Sequence, residues 1–504
     1  MKIFLIIILC ISSLSLSAQE PIVESYSTLQ KSYDNREEPS DNGQKGFKQM
    51  AVREYTDFRR KSFEQYVQFV RDAWQSYDGR SAEKLPVMKD VAPIEYNPIE
   101  DADKEKTTTP LPVEDVVEME EAVEQPMPMA RIPEVTSLDM DYCEFTFYGT
   151  PVKIRLNRNA AFRVRGIDEK SVAEALGALG DESYDNTIRD CLETRYDLQL
   201  GDWAYLLMLR QMAVQMYGEK TNEATLLTAY IYMQTGYKVR LASDKTRLYM
   251  LWASKHHIYD KNYYELDGER YYSIDDLPMT LQICNVNFPK EQSLSLLISA
   301  EQKFNEQATE RRTIHSSRYP EISFSYSSNR NLMDFYNTYP TSQLGDNVMS
   351  RWSMYANTPL QSNLREQIYP ILKESLKNCS EHEAVEKLLN VIQTGFEYEY
   401  DEKIWGDDRV FFAEETLFYP FCDCEDRSIL FTRLVRDLVG LKCILVYYPG
   451  HLAAAVAFSE ATEGDYIDLE GTHYTIADPT FIGAPVGRTM SGMNNESATV
   501  ILLK

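Results

Sequence analysis

The chain has 504 residues, 43% hydrophobic and 26% charged, which is enough apolar material for several cores and too little bias for a fibrous or wholly disordered class. Its 52 basic against 78 acidic side chains leave a formal charge of -26. A field of that sign repels phosphate backbones and anionic lipid surfaces, so nucleic-acid binding is excluded.

The first residues carry Lys2, an apolar run from Ile3 to Ile11 and a Ser-rich stretch ending at Ala18. This pattern predicts a signal peptide cleaved near Ala18, hence a periplasmic or secreted protein. The run is short of the roughly 20 residues that span a bilayer, and no later segment approaches that length, so no transmembrane segment is expected in the mature chain. Leu9 is too bulky before Cys10 for a lipid-attachment site. Seven cysteines remain, Cys143, Cys191, Cys284, Cys379, Cys422, Cys424 and Cys443. Their odd number and wide spacing make no disulfide framework.

Residues 19–83 read as an N-terminal helical region. From Gly43 to Gly79 aromatic and apolar positions, among them Phe47, Phe58, Tyr66, Val70, Trp74 and Tyr77, recur mostly three or four apart, which predicts one long amphipathic helix. Its stripe packs on the body of the protein or offers a groove to a protein partner. Residues 84–135, rich in Pro and acidic clusters, read as an extended linker or a poorly ordered wrap. Tyr142 to Arg155 alternates as strands do, and Ser171 to Tyr217 is largely helical. A unit over 136–280 is followed by a β-rich connecting region, 281–361, with strand-like runs such as Ile322 to Ser327. Residues 362–504 return to helix, with Ser380 and Glu383 forming a capping-box pattern.

The informative stretch is Phe421 to Phe458, followed by Tyr474 to Gly483. Ile429, Leu430, Leu434 and Leu438 share one helical face and Gly440 ends that helix, so Cys424 falls at a helix N-terminus. Unpaired N–H groups and the positive end of the dipole favour a thiolate there and can bind a developing oxyanion. His451 follows a Pro-Gly turn and opens an apolar strand, and Asp478 ends a further short strand before Pro479. A thiol, an imidazole and a carboxylate so placed can serve as nucleophile, general base and orienter. Cys422 and His473 are the alternatives for nucleophile and base. His256, His257, His315 and His382 show no metal-ligand spacing and no Gly-rich phosphate loop is visible, so neither metal nor cofactor is expected.

These residues resemble the transglutaminase-like superfamily, in its bacterial transglutaminase/protease-like branch of the papain-like fold. The core of that family reads D-C-x-D-x-[AS]-x-L before a helix ending L-x-R-x-x-G, then a strand, a His opening the next strand, and Asp-Pro. Here Asp423 to Leu430, Leu434 to Gly440, His451 and Asp478-Pro479 stand in that order. The resemblance covers the chain from about Ser380 onward. It implies an α+β core with a helix packed on an antiparallel sheet, Cys424 as nucleophile, His451 as base and Asp478 as orienter. It further implies hydrolysis or acyl transfer at peptide or amide bonds, with a peptide or protein substrate. The oxyanion donor in related folds comes from a side chain upstream of the nucleophile, for which Gln393 is the candidate. The usual aromatic after the His is replaced by Leu452 and Ala453. That departure fits the alternative of a non-catalytic periplasmic module that binds peptide or glycan.

A second, degenerate copy is expected upstream. Thr221 aligned with Cys424 places Leu248 under His451 and Asp275 under Asp478, an offset of 203 (451 against 248), so the first copy keeps the acid and lacks the thiol and the imidazole.

Overall fold

The computed structural model describes residues 60–86, 91–98, 109–118, 140–157, 162–288, 291–490, 492–493 and 498–504. The expected signal peptide and the start of the N-terminal helix lie outside these residues. Among the described residues, no helix is long and apolar enough to cross a membrane. The architecture is mixed α+β, organised by two six-stranded sheets.

A helix over residues 60–70 buries Phe63, Tyr66, Val67 and Val70. The single long helix expected through Gly79 ends there, because Trp74–Asp78 is a strand, β1, paired antiparallel with Thr280–Cys284. Trp74 and Tyr77 pack into different clusters on either side of the sheet. Residues three apart do this in a strand, whereas a helix would set them on one face. Of the two readings of the acidic, Pro-rich stretch, its described residues fit the wrap and not the free linker. Val113–Val117 forms β2, an edge strand parallel to Ala498–Leu502. Val91, Tyr96 and Leu111 donate backbone N–H groups to Gly450, Ile482 and Tyr466 at 2.8–2.9 Å, so the stretch straps across the second sheet.

The first unit opens with the hairpin Met140–Phe147 and Thr150–Asn157 and the helices Glu169–Leu179, Asp185–Asp197 and Asp202–Tyr217. Helix α1, Asn222–Gln234, then leads into β3 (Val239–Ser243), β4 (Leu248–Ser254), β5 (Tyr264–Leu266), β6 (Glu269–Tyr272) and β7 (Thr280–Cys284). The sheet order is β1-β7-β3-β4-β6-β5. The connecting region, expected to be β-rich, is mixed. It holds short pairs such as Arg312–His315 with Ser323–Tyr326, together with the helices Arg330–Tyr336 and α2, Ser350–Asn357.

The last part begins with the helix Ser362–Leu376 and continues with α3 (Glu381–Gly395), α4 (Asp401–Ile404), α5 (Ala413–Phe418) and α6 (Cys424–Leu438). Its strands are β8 (Lys442–Tyr448), β9 (His451–Ala457), β10 (Tyr466–Leu469), β11 (Thr472–Ala477) and β12 (Ala498–Leu502). The order is β2-β12-β8-β9-β11-β10. Leu445, Leu452, Ala454 and Val456 face the main core with α6, while Ile444, Val446, Ala453 and Ala455 face a second apolar cluster that includes Leu111. Burial on both faces explains why this strand reads as an unbroken apolar run. Apart from the edge strands contributed from upstream, the two sheets repeat one order, helix then five strands, with β4 and β9 of equal length.

Candidate active site

Cys424 is the first residue of α6, and Asp423 is its N-cap. Asp426, three residues on, accepts the Asp423 N–H at 3.4 Å and the Phe411 N–H at 2.8 Å. This reciprocal cap is the local reason the helix starts here. The C-terminal stop expected at Gly440 is also present, with φ +80°, a backbone conformation glycine adopts without strain. Cys424 is buried to 2% exposure, and its thiol donates to Glu425 Oε2 at 3.2 Å.

His451 opens β9 after the two-residue Pro449-Gly450 turn. One turn into α6, on the side of the helix that carries Cys424, Ser428 Oγ donates to the carbonyl of Leu452 at 2.8 Å. The first turn of α6 is thereby pinned beside the strand residue that follows His451. His451 Nε2 and Asp478 Oδ2 lie 2.8 Å apart, both side chains at 2% exposure or less. Asp478 is fixed in turn, since its Oδ1 accepts the Thr480 and Phe481 N–H groups at 2.8 and 3.2 Å. With Nε2 facing the carboxylate, Nδ1 is the ring nitrogen left to take a proton.

The two alternatives are placed elsewhere. Cys422 sits in a short strand, Phe421–Cys422, paired with Glu397–Tyr398, and its thiol donates to the Glu397 carbonyl at 3.7 Å. Burial pushes its pKa up to about 11, so it stays protonated near neutral pH. His473 lies on the exposed side of β11, with its ring 57% exposed and paired with Asp468 at 2.9 Å.

Gln393, the expected oxyanion donor, is engaged otherwise. Its Nε2 donates to the carbonyls of Asp478, Phe481 and Ala484 at 3.1, 2.8 and 3.0 Å, and its Oε1 accepts the Gly483 N–H at 3.2 Å. Both ends of its amide are engaged in holding the loop that carries Asp478. The backbone N–H groups at the start of α6 are what the site offers to a developing oxyanion.

The sequence shows Asp423, Glu425 and Asp426 opposing a thiolate electrostatically; the structure adds Asp401, Asp408 and Arg351 from elsewhere in the chain. Asp401, Asp423 and Glu425 are buried, with carboxylate oxygens within 4.8 Å of one another. Among the described residues this is the one cluster of metal-ligating type, and by itself it assigns no ion. Burial, then the charge of Asp408, raises the pKa of Glu425, while Arg351 and the thiol hydrogen bond lower it. Burial, then Asp401 and Glu425, holds Asp426 well above the usual carboxylate range. Arg351, on α2, is 1% exposed and donates from Nη2 to Asp408 at 2.9 Å. The run Asp423 to Asp426 announces the charge in sequence, but nothing local announces that Arg351 and Asp408 close over it.

The first unit repeats the placement with different residues. Thr221 is the N-cap of α1 and Asn222 its first residue, so the position that matches Cys424 is Asn222, one later than expected. Asn222 Oδ1 accepts the N–H of Leu248, the residue that opens β4, at 2.8 Å. Asp275 forms ion pairs with Arg247 and Arg210. Comparison of the chain with models of known families, with curated proteins and with solved structures finds no match.

Proposed function

We propose that the last part of the chain is a thiol hydrolase or acyl transferase centre of transglutaminase-like, papain-like type, acting on peptide or amide bonds outside the cytoplasm. The observation that carries the reading is the buried 2.8 Å His451–Asp478 pair, set at the strand start against which the Cys424 end of α6 is pinned. In this reading His451 Nδ1 takes the thiol proton, and the thiolate attacks the carbonyl carbon. The tetrahedral oxyanion is met by N–H groups at the start of α6, and the C–N bond breaks as the imidazolium returns the proton to the amine. Water then hydrolyses the thioester, or an amine takes the acyl group. Asp478 keeps the tautomer and stabilises the imidazolium.

The repeated strand order and the common start of β4 and β9 support descent of the two units from one ancestor. The first copy would have lost its chemistry, with Asn222 and Leu248 standing where Cys424 and His451 stand; by strand register the place of Asp478 falls to Ile274, one residue before the expected Asp275.

The test is the pH dependence of iodoacetamide alkylation at Cys424, read by peptide mass spectrometry on wild type and His451→Ala. Labelling well below the free-thiol pKa of about 8.5, lost in the variant, supports the pair. One observation favours the second reading, a non-catalytic peptide- or glycan-binding module: Cys424 is 2% exposed and its thiol donates a hydrogen bond to a carboxylate. Slow labelling that His451→Ala leaves unchanged would select it.

A further inference from the structure

We propose that Glu425 is a further catalytic residue of this site, the group that keeps the proton on the Cys424 sulfur in the resting protein and so sets how readily the thiolate forms. The inference rests on the reading of Cys424 as nucleophile. Its observation is the thiol donating to Glu425 Oε2 at 3.2 Å within the first turn of α6. Successive helical residues point about 100° apart and do not face each other, so this contact does not follow from sequence adjacency. The Glu425 side chain turns back onto its neighbour and is buried to 5% exposure.

The charges around Glu425 come from four elements. Arg351 reaches it from α2, Asp408 from the loop after α4, Asp401 from α4, and Asp423 and Asp426 flank it on α6. Arg351 is the one cation among them. Its Nε and Nη1 are buried with no hydrogen-bond partner, so its charge is spent on Asp408 and on the field at Glu425. That field favours ionised Glu425, against burial and Asp408, which favour the neutral acid. Ionised Glu425 keeps the proton on sulfur, because a thiolate would set a second negative charge against it. Neutral Glu425 can donate its own proton to a thiolate. A single proton is thus shared between Sγ and Oε2, and whichever atom lacks it carries the charge. Arg351 acts through Glu425 as a positioning residue and touches no reacting atom.

The experiment is the alkylation profile of Cys424 from pH 5 to 9 on the full chain, for wild type, Glu425→Gln, Glu425→Asp and His451→Ala, with Cys422 labelling as the internal control of folding. Gln cannot carry the charge and can donate to a thiolate. Glu425→Gln is therefore expected to move the profile down by at least one pH unit, giving about tenfold faster labelling at pH 7. Glu425→Asp keeps the charge but withdraws it by one methylene, and should move the profile in the same direction by less. An unchanged or upward-shifted profile in Glu425→Gln overturns the inference; if that variant does not fold, Glu425→Asp alone decides on the same criterion. A profile moved by His451→Ala and not by the Glu425 variants defeats the inference and leaves the triad standing. The reverse pattern leaves Glu425 and defeats His451 as base.

Discussion

Replacing Gln393 with Ala distinguishes a clamp from an oxyanion donor. Its amide nitrogen serves three carbonyls at 2.8–3.1 Å and its oxygen serves Gly483 at 3.2 Å, with Gln393 itself 2% exposed. The amide nitrogen has two hydrogens, so counting two donated bonds and the one accepted from Gly483 at roughly 1 kcal/mol each, the loss should be about 3 kcal/mol, since Asp478, Phe481 and Ala484 are left behind buried. An opening equilibrium displaced by that amount rises about a hundredfold. Cys443, 3% exposed in β8, reports such openings through the rate at which an excess thiol reagent labels it under native conditions. The clamp reading expects that rate to rise about two orders of magnitude. It also expects Asp478 to lose its position, so that Cys424 alkylation slows with it. Cys443 labelling within about threefold of wild type, together with a fall in turnover, would refute the clamp and return Gln393 to the role of donor.

Asp478→Asn should lower turnover on the order of 10²–10⁴ by removing the charge that stabilises the imidazolium, with the circular dichroism spectrum unchanged; undiminished turnover would remove Asp478 from the mechanism. Burial raises the Glu414 carboxyl from 4.5 to about 7. The unfolded chain therefore ionises it first, and the stability given by the neutral acid is complete below about pH 4.5 and lost as pH rises through about 7. Glu414→Gln should accordingly be more stable than wild type by about 3 kcal/mol at pH 8 and indistinguishable at pH 4; denaturant midpoints showing the same gap at both pH values would contradict this. Cys422, with a pKa of about 11, should label at pH 7.5 at least a hundredfold more slowly than a free thiol of pKa about 8.5, and comparable rates by peptide mass spectrometry would put it back among the candidate nucleophiles. Gly464→Ala should destabilise the β9–β10 connection, because a Cβ there would lie 2.4 Å from Gly487 Cα at a φ of +122°; an unchanged melting temperature would count against that packing.

The site was legible where chemistry and local structure share a short window. Cys424 could be set at a helix start because Asp423, Asp426 and the apolar positions Ile429, Leu430 and Leu434 lie within twelve residues, and Gly440 closes the helix. His451 could be set at a strand start because the Pro-Gly turn marks it. What sequence could not show depends on partners far along the chain. Trp74 and Tyr77 have a spacing that suits helix and strand alike, and the choice is made by β7, some 200 residues away. Val113–Val117 becomes a strand because β12 offers it an edge, against the local bias of Pro and acid toward an open linker. Gln393 drew attention as an upstream polar side chain, but its three carbonyl partners lie 85 to 91 residues downstream, and no local pattern reports them.

The two units bear on each other through what each keeps. Each unit has an acid shortly after a hairpin strand, β6 or β11, and the partners differ: Asp478 faces a buried imidazole, while Asp275 is neutralised by Arg247 and Arg210. In the first unit two arginines thus hold the acid by charge, where the second unit sets an imidazole against it. At the helix start the exchange is parallel. Asn222 satisfies the backbone N–H of Leu248 with a neutral oxygen, a bond that needs no proton transfer and that a thiol would make poorly. The first unit thus spends on stability the positions that the second keeps in a costlier state, with a buried thiol against a buried carboxylate and a buried imidazole against another. Groups so placed oppose folding through desolvation. Their concentration at one helix start and one strand start, in a chain whose other unit of like topology carries neutral or ion-paired groups there, is what the proposed function accounts for and a satisfied core does not.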